Sequence, residues 1–195
     1  MKHLFNLFTV IFLLSVTIVG CDEDDENTDK NFFKVGDTEY ELVSGALENY
    51  GQDEGEDQDL VYDGYNIDLT LCSKGVNITT DEEGDMHCTG EGQILYFEIF
   101  TTSGNALDNG EYIFDGTSPF PTGTFDVGLY LTDWDEDNED HDWIEFTTGI
   151  LMVSKNGDEY EITISGTDDN TNIITGYYKG TLSYFNYDSD EKSNK

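Results

Sequence analysis

Three groups of side chains in this 195-residue sequence have the types and spacing to do chemistry. The first is Cys72 with Cys88. Cys21 stands apart, at the end of an apolar N-terminal run, so these two form an even pair, and a disulfide between them would close the segment SKGVNITTDEEGDMH. Closing a loop of about 15 residues stabilises by roughly 3 kcal/mol by restricting the unfolded chain. The alternative is a metal set of Cys72, Asp85, His87 and Cys88, but adjacent His87-Cys88 lacks the usual spacing of zinc ligands, so the disulfide is the stronger expectation.

The second group is the acidic segment from Asp133 to Trp143. Asp133, Asp135 and Asp137 reproduce the D-x-D-x-D opening of a calcium loop, with Asp140 close behind. The match then ends, because Asn138 stands where the loop needs Gly and Ile144 where it needs Glu. What is left is a carboxylate-dense hairpin tip that could collect Ca2+ weakly; no other cofactor is indicated. Similar acidic loops at Asp53 to Asp59, Asp81 to Asp85 and Asp168 to Asn170 compete for that role.

The third group is aromatic. Trp134 continues a strand that begins near Phe125, on the face of Tyr130 and Thr132 and opposite Phe125, Val127 and Leu129. Trp134, Tyr130 and Trp143, together with Tyr177, Tyr178, Tyr184 and Tyr187 of the last strand, predict ligand platforms of the kind that stack on sugars or peptides. Catalytic residues are not predicted: no G-x-S-x-G, P-loop, H-E-x-x-H or C-x-x-C occurs. A carboxylate pair for glycoside hydrolysis has too many candidates to be assigned.

The elements that must position these groups are strands. Tyr65, Ile67, Leu69 and Leu71 alternate with Asn66, Asp68, Thr70 and Cys72, and the same period of two recurs from Phe125 and from Tyr160. Further strands are predicted at 32–35, 38–46, 93–102, 111–115, 143–154 and 172–187, the last two long enough to need bulges at Gly149, Gly176 or Gly180. Asn156-Gly157 predicts a type I′ hairpin and Val35-Gly36-Asp37-Thr38 a second tight turn. GDTEYELVSG and GDEYEITISG look alike because two hairpins obey the same rules. The sequence therefore predicts an all-β, single antiparallel meander domain of about eight to ten strands over 32–187, either a β-sandwich or a lipocalin-like barrel, with a polar tail at 188–195.

Charge narrows the partners. Eight lysines and no arginine face 43 acids, a formal net charge of -35. Such a field repels phosphate, so no nucleic-acid partner is expected, and docking on anionic lipid is disfavoured. Hydrophobic residues are nonetheless 36% and aromatics 13% of the chain, which suits a folded domain.

Residues 1–20, MKHLFNLFTVIFLLSVTIVG, have a lysine, then an apolar run, and no acid, the architecture of a signal peptide. Ile18-Val19-Gly20-Cys21 resembles the lipobox of bacterial lipoproteins; Gly20 and Cys21 match firmly, Ile18 and Val19 loosely. That resemblance implies a diacylated Cys21 at the new N-terminus, and more than one acyl chain gives firm membrane retention. The alternative is a plain secretory signal with an incidental cysteine. Residues 21–31 then form the lipidated cysteine and an acidic tether opened by Asp22, Glu23, Asp24, Asp25 and Glu26. Here the chain resembles surface lipoproteins of the Bacteroidota type, in which such a run directs export to the outer leaflet. The resemblance implies a lipid-anchored protein of the cell outer membrane, exposed at the surface, with the periplasmic face as the alternative. The function expected is non-enzymatic binding, or accessory work, for a neutral or cationic ligand, glycan or protein. A secreted polysaccharide-acting enzyme and a structural part of an envelope assembly are the alternatives.

Overall fold

The computed structural model describes residues 30–52, 61–138 and 141–188, and the signal segment, Cys21, nearly all of the tether and the end of the polar tail lie outside that range. Eleven strands form one mixed sheet, with no helix among the described residues. In chain order they are β1 (Phe32–Val35), β2 (Thr38–Gln52), β3 (Tyr65–Ser73), β4 (Val76–Thr80), β5 (Met86–Thr101), β6 (Gly110–Phe114), β7 (Thr124–Asp135), β8 (Ile144–Asn156), β9 (Glu159–Asp168), β10 (Ile173–Thr181) and β11 (Ser183–Asn186).

The all-β expectation is met in a sandwich-like form and not as a closed barrel. β1 links β10 to β2 over only four residues, and along Ala46–Asn49 the same edge of β2 takes β11 instead. The sheet is also not wholly antiparallel. β11 runs parallel to β2, and β6 is inserted between β7 and β8, parallel to the former. One main core lies between the inward faces, where Phe97 meets Phe125 and Phe146 edge-on at centroid distances of 5.6 and 5.3 Å. Such pairs contribute about 0.5–1.5 kcal/mol beyond their buried area.

Both predicted tight turns are present. Between β8 and β9, however, the ladder closes at Asn156–Glu159, so the central residues are Gly157 and Asp158, and only Gly157 has positive φ, at 65°. A glycine in the first central position fits a type II′ turn, not the type I′ turn predicted on Asn156. The bulges likewise fall elsewhere, at Leu42/Ser44, Asn49/Gly51, Gly92/Ile94, Glu98/Ile99 and Phe146/Thr148.

The segment expected to be a loop between Cys72 and Cys88 is instead a flap, in which β4 pairs with the first half of β5. At its base Gly90 has φ 91° and lies so close to Gly75 that a Cβ there would stand 2.2 Å from the Gly75 carbonyl oxygen. This crossing brings the flap onto the outward face of the sheet, where Val76 and Cys88 pack with Cys72 and Ile94 in a second, smaller core. β3 is thereby buried along nearly its whole length, on the face where Asn66, Asp68, Thr70 and Cys72 point as well as on the other.

Candidate functional site

The outward face of β2, β3, β5 and β7 has three zones, set by strand register. Cys72 lies opposite Ile94 at the flap end, Thr70 opposite Tyr96 and Asp68 opposite Glu98 in the middle, and Asn66 opposite Phe100 at the far end. Phe100 is covered there by Tyr62 and Phe120, stacked on it at 5.1 and 5.0 Å. Between these apolar ends Glu48 pairs with Asp68 across β2 and β3. Glu98 follows on β5, and Asp126 sits at the bulge of β7 beside it. Neighbouring strands are about 4.8 Å apart, so four carboxylates cross four strands in one row.

The row is deeply placed and unevenly satisfied. Asp68 is 6% exposed, Asn66 and Glu48 each 7%. The Tyr96 hydroxyl donates to Asp68 Oδ2, and Asn66 Nδ2 donates to Glu98 Oε1 at 2.6 Å. Asn66 Oδ1, Asp68 Oδ1 and Asp126 Oδ1 are buried and find no hydrogen-bond partner among the described residues. Asn66 Oδ1 and the ionised Asp126 carboxylate are acceptors, and Asp68 Oδ1 is one once its carboxyl is ionised. A buried acceptor without a donor costs about 1–3 kcal/mol, so these atoms suit an incoming donor. Neither of the two ion pairs among the described residues, Lys30–Glu39 and Lys179–Glu159, reaches the row.

Burial pushes the Asp68 carboxyl up to about 8, reinforced by Glu98, Glu48 and Asp126 and opposed by the Tyr96 hydrogen bond. Burial and then Glu98 raise Asp126 to about 6. Glu48 and Glu98 are also raised by burial, against hydrogen bonds from Tyr50 and Tyr187 to the former and from Asn66 to the latter. At neutral pH the row therefore holds at least one proton, which keeps like charges from facing one another.

The chain matches no protein-family model, no curated protein and no solved structure.

The sequence-predicted groups fare differently. Cys72 and Cys88 do meet, but as free thiols 4.0 Å apart rather than as the expected disulfide, which needs about 2.05 Å. They meet because the flap folds over β3. Their hydrogen bond, and then burial, push the Cys72 thiol up, while the same bond draws Cys88 down. We expect iodoacetamide to modify neither thiol in the native protein and both after unfolding in urea. Rapid native labelling would show that the flap does not hold this core.

Among the described residues, Asp133, Asp135 and Asp137 do not converge on one point. Asp135 Oδ1 accepts the Asp137 N–H at 3.0 Å, closing the turn, and Asp140 lies outside the described residues. Among the described residues no group of three acids, histidines or cysteines, including Asp133, Asp135 and Asp137, is arranged to hold a metal ion.

The aromatic platform is not formed either. Tyr130, predicted on the outward face, is 1% exposed and donates to Asp168 Oδ2 at 2.7 Å. The bulge between Glu98 and Ile99 adds Asp126 to β7 and reverses the alternation, so Phe125 and Tyr130 both point inward. Trp134 packs on the flap core and stacks on His141 at 4.4 Å. Trp143 alone of the three is exposed.

Proposed function

We propose that this chain is a non-enzymatic binding module, anchored at the outer surface of the outer membrane through lipidated Cys21 and its acidic tether, whose ligand is cationic or neutral and comes from a protein or a glycan. The observation that carries the binding reading is the row Glu48, Asp68, Glu98 and Asp126 with its unpartnered acceptors Asn66 Oδ1, Asp68 Oδ1 and Asp126 Oδ1. Acceptors without donors, in a chain with a net charge of -35 and no arginine, favour a partner that brings N–H groups or positive charge.

The enzymatic alternative draws on the same residues, because a carboxylic acid held protonated beside a carboxylate is how glycosidases divide labour. Asp68, at 6% exposure, is better placed to hold one small group than to flank a sugar ring. The structural role in an envelope assembly has no feature of comparable specificity.

Fractionation tests the anchor. Wild-type protein should sediment with outer membranes and be removed from intact cells by added protease, and Cys21→Ala should appear in the soluble fraction. Unchanged sedimentation of that variant would refute lipidation. Full protease protection in intact cells would move the protein to the periplasmic face.

A further inference from the structure

We infer that the acidic row is a guanidinium-binding site, with Asn66 Oδ1, the Glu98 carboxylate and Asp68 Oδ1, whose proton leaves to solvent as the cation enters, accepting the N–H fork of one guanidinium group. This deepens the binding reading above and rests on it. Asn66 is the observation independent of acidity: it is neutral, 7% exposed, and tied to Glu98 by Nδ2 at 2.6 Å, with its other atom, Oδ1, unpartnered.

The geometry of the acceptors selects the donor. They lie on adjacent strands about 4.8 Å apart and on alternate residues of β3, so they are spread over one face of the sheet rather than gathered round a point. A guanidinium is flat, offers five N–H donors in a fixed fork and is weakly hydrated, whereas an ammonium is a compact, strongly hydrated point with three. A metal is disfavoured because the carboxylates are strung along a row, and no three of them converge. Tyr96, bonded to Asp68, and Tyr50, bonded to Glu48 at 3.5 Å, supply rings on which a guanidinium can stack. Tyr50 is 48% exposed and can turn aside without unpacking the core. On the β7 side a recess of about 190 Å3, lined by Phe114, Asp126, Val127, Leu129 and Glu145 among others, meets the row at Asp126 alone. The chain contains no arginine, so no guanidinium of its own can occupy the site.

Calorimetric titration of the folded domain at pH 7.5 with agmatine, with acetyl-Gly-Arg-Gly-amide and with butylamine tests this. Agmatine or the peptide should bind saturably with one site per chain, the tighter of the two identifying whether the source is a free guanidino compound or a peptide side chain. Butylamine should bind at least tenfold more weakly than the better of them. Asp68→Asn and Glu98→Gln should each weaken binding tenfold or more, while Glu39→Gln, an exposed acid already paired with Lys30, should leave it unchanged. Absence of saturable binding, equal affinity for butylamine, or equal losses in all three variants would overturn the assignment. None of those results bears on the anchor, and a failed Cys21→Ala fractionation would leave the titration untouched.

Discussion

Replacing Asp68 by Asn is expected to stabilise the protein strongly at pH 8 and hardly at all near pH 4. Asp68 ionises near 4 in the unfolded chain but only at about 8 in the folded one. The folded state therefore keeps a proton that the unfolded state releases across that window, and stability falls as pH rises through it. Below about pH 4 both states are protonated and the effect vanishes. The groups facing Asp68 strengthen it, since Glu48 on β2, Glu98 on β5 and Asp126 on β7 become more negative over the same range. Asn is neutral throughout, and its side-chain oxygen can still accept from the Tyr96 hydroxyl. Each tenfold change in proton affinity corresponds to about 1.4 kcal/mol, and with relaxation around the site we expect a gain on the order of 2–4 kcal/mol at pH 8. Urea unfolding at pH 4.5 and pH 8 measures it. An equal change of the midpoint at both pH values would mean that the substitution changed packing and not ionisation.

That expected gain gives the row its meaning. Val, Ile or Thr on the outward positions of β3 and β5 would fill this covered face without unpartnered oxygens or like charges in register. A sequence that places Glu48, Asp68 and Glu98 directly opposite one another on three neighbouring strands accepts a lasting loss of stability there. Local rules broken in concert at one place are characteristic of functional sites, where stability is given up for binding.

Most of the strands were legible because their inward residues alternate cleanly; β3, with Ile67, Leu69 and Leu71 all fully buried, is the plainest case. Two things were not legible. β4 has the strand-like sequence VNITT but sits between Lys74-Gly75 and DEEGD, so it reads as loop until its partner, the first half of β5, is known to pair with it. The bulge at Asp126 is likewise a property of the β5–β7 pair, and missing it places Tyr130 on the wrong face. The site was hidden for a related reason. Polar residues alternating with Ile67, Leu69 and Leu71 look like an ordinary solvent face, and only the flap and the aromatic cover over Phe100 make that face an interior. The available signal is the location of Glu48, Asp68 and Glu98 in the middle of strands, away from the denser acidic loops.

Asp168→Ala is expected to be among the most damaging single substitutions, with a loss of about 2–4 kcal/mol, and its pH dependence runs opposite to that of Asp68. Asp168 lies at the end of β9, 1% exposed, in one of the acidic loops that compete for Ca2+ on sequence grounds. Its carboxylate is fully occupied. Oδ1 accepts the Asn172 backbone N–H at 2.7 Å, and Oδ2 accepts from Asn172 Nδ2 at 2.9 Å and from the Tyr130 hydroxyl at 2.7 Å. The first two bonds shape the turn into β10, where Thr171 takes a φ of 64° that a threonine rarely adopts, and the third ties that turn to the core through β7. Burial alone would raise this carboxyl, but the bonds from Tyr130 and Asn172 outweigh it and hold it below the ordinary carboxylate range. Its contribution is therefore complete above about pH 4 and is lost as pH falls further, when the group protonates. Alanine strands the Tyr130 hydroxyl inside the core and frees the turn, and hydrogen bonds to charged groups are worth about 1.5–3 kcal/mol each before relaxation. Thermal unfolding at pH 7 and pH 3 should show a large deficit in the variant at the first and a smaller one at the second. A variant as stable as wild type at pH 7 would show that the turn holds its shape without the carboxylate. Two buried aspartates in one sheet are thus distinguished by their partners: three donors fix Asp168 as structure, and Asp68, with one oxygen unpartnered, can exchange its proton for a donor that a ligand brings.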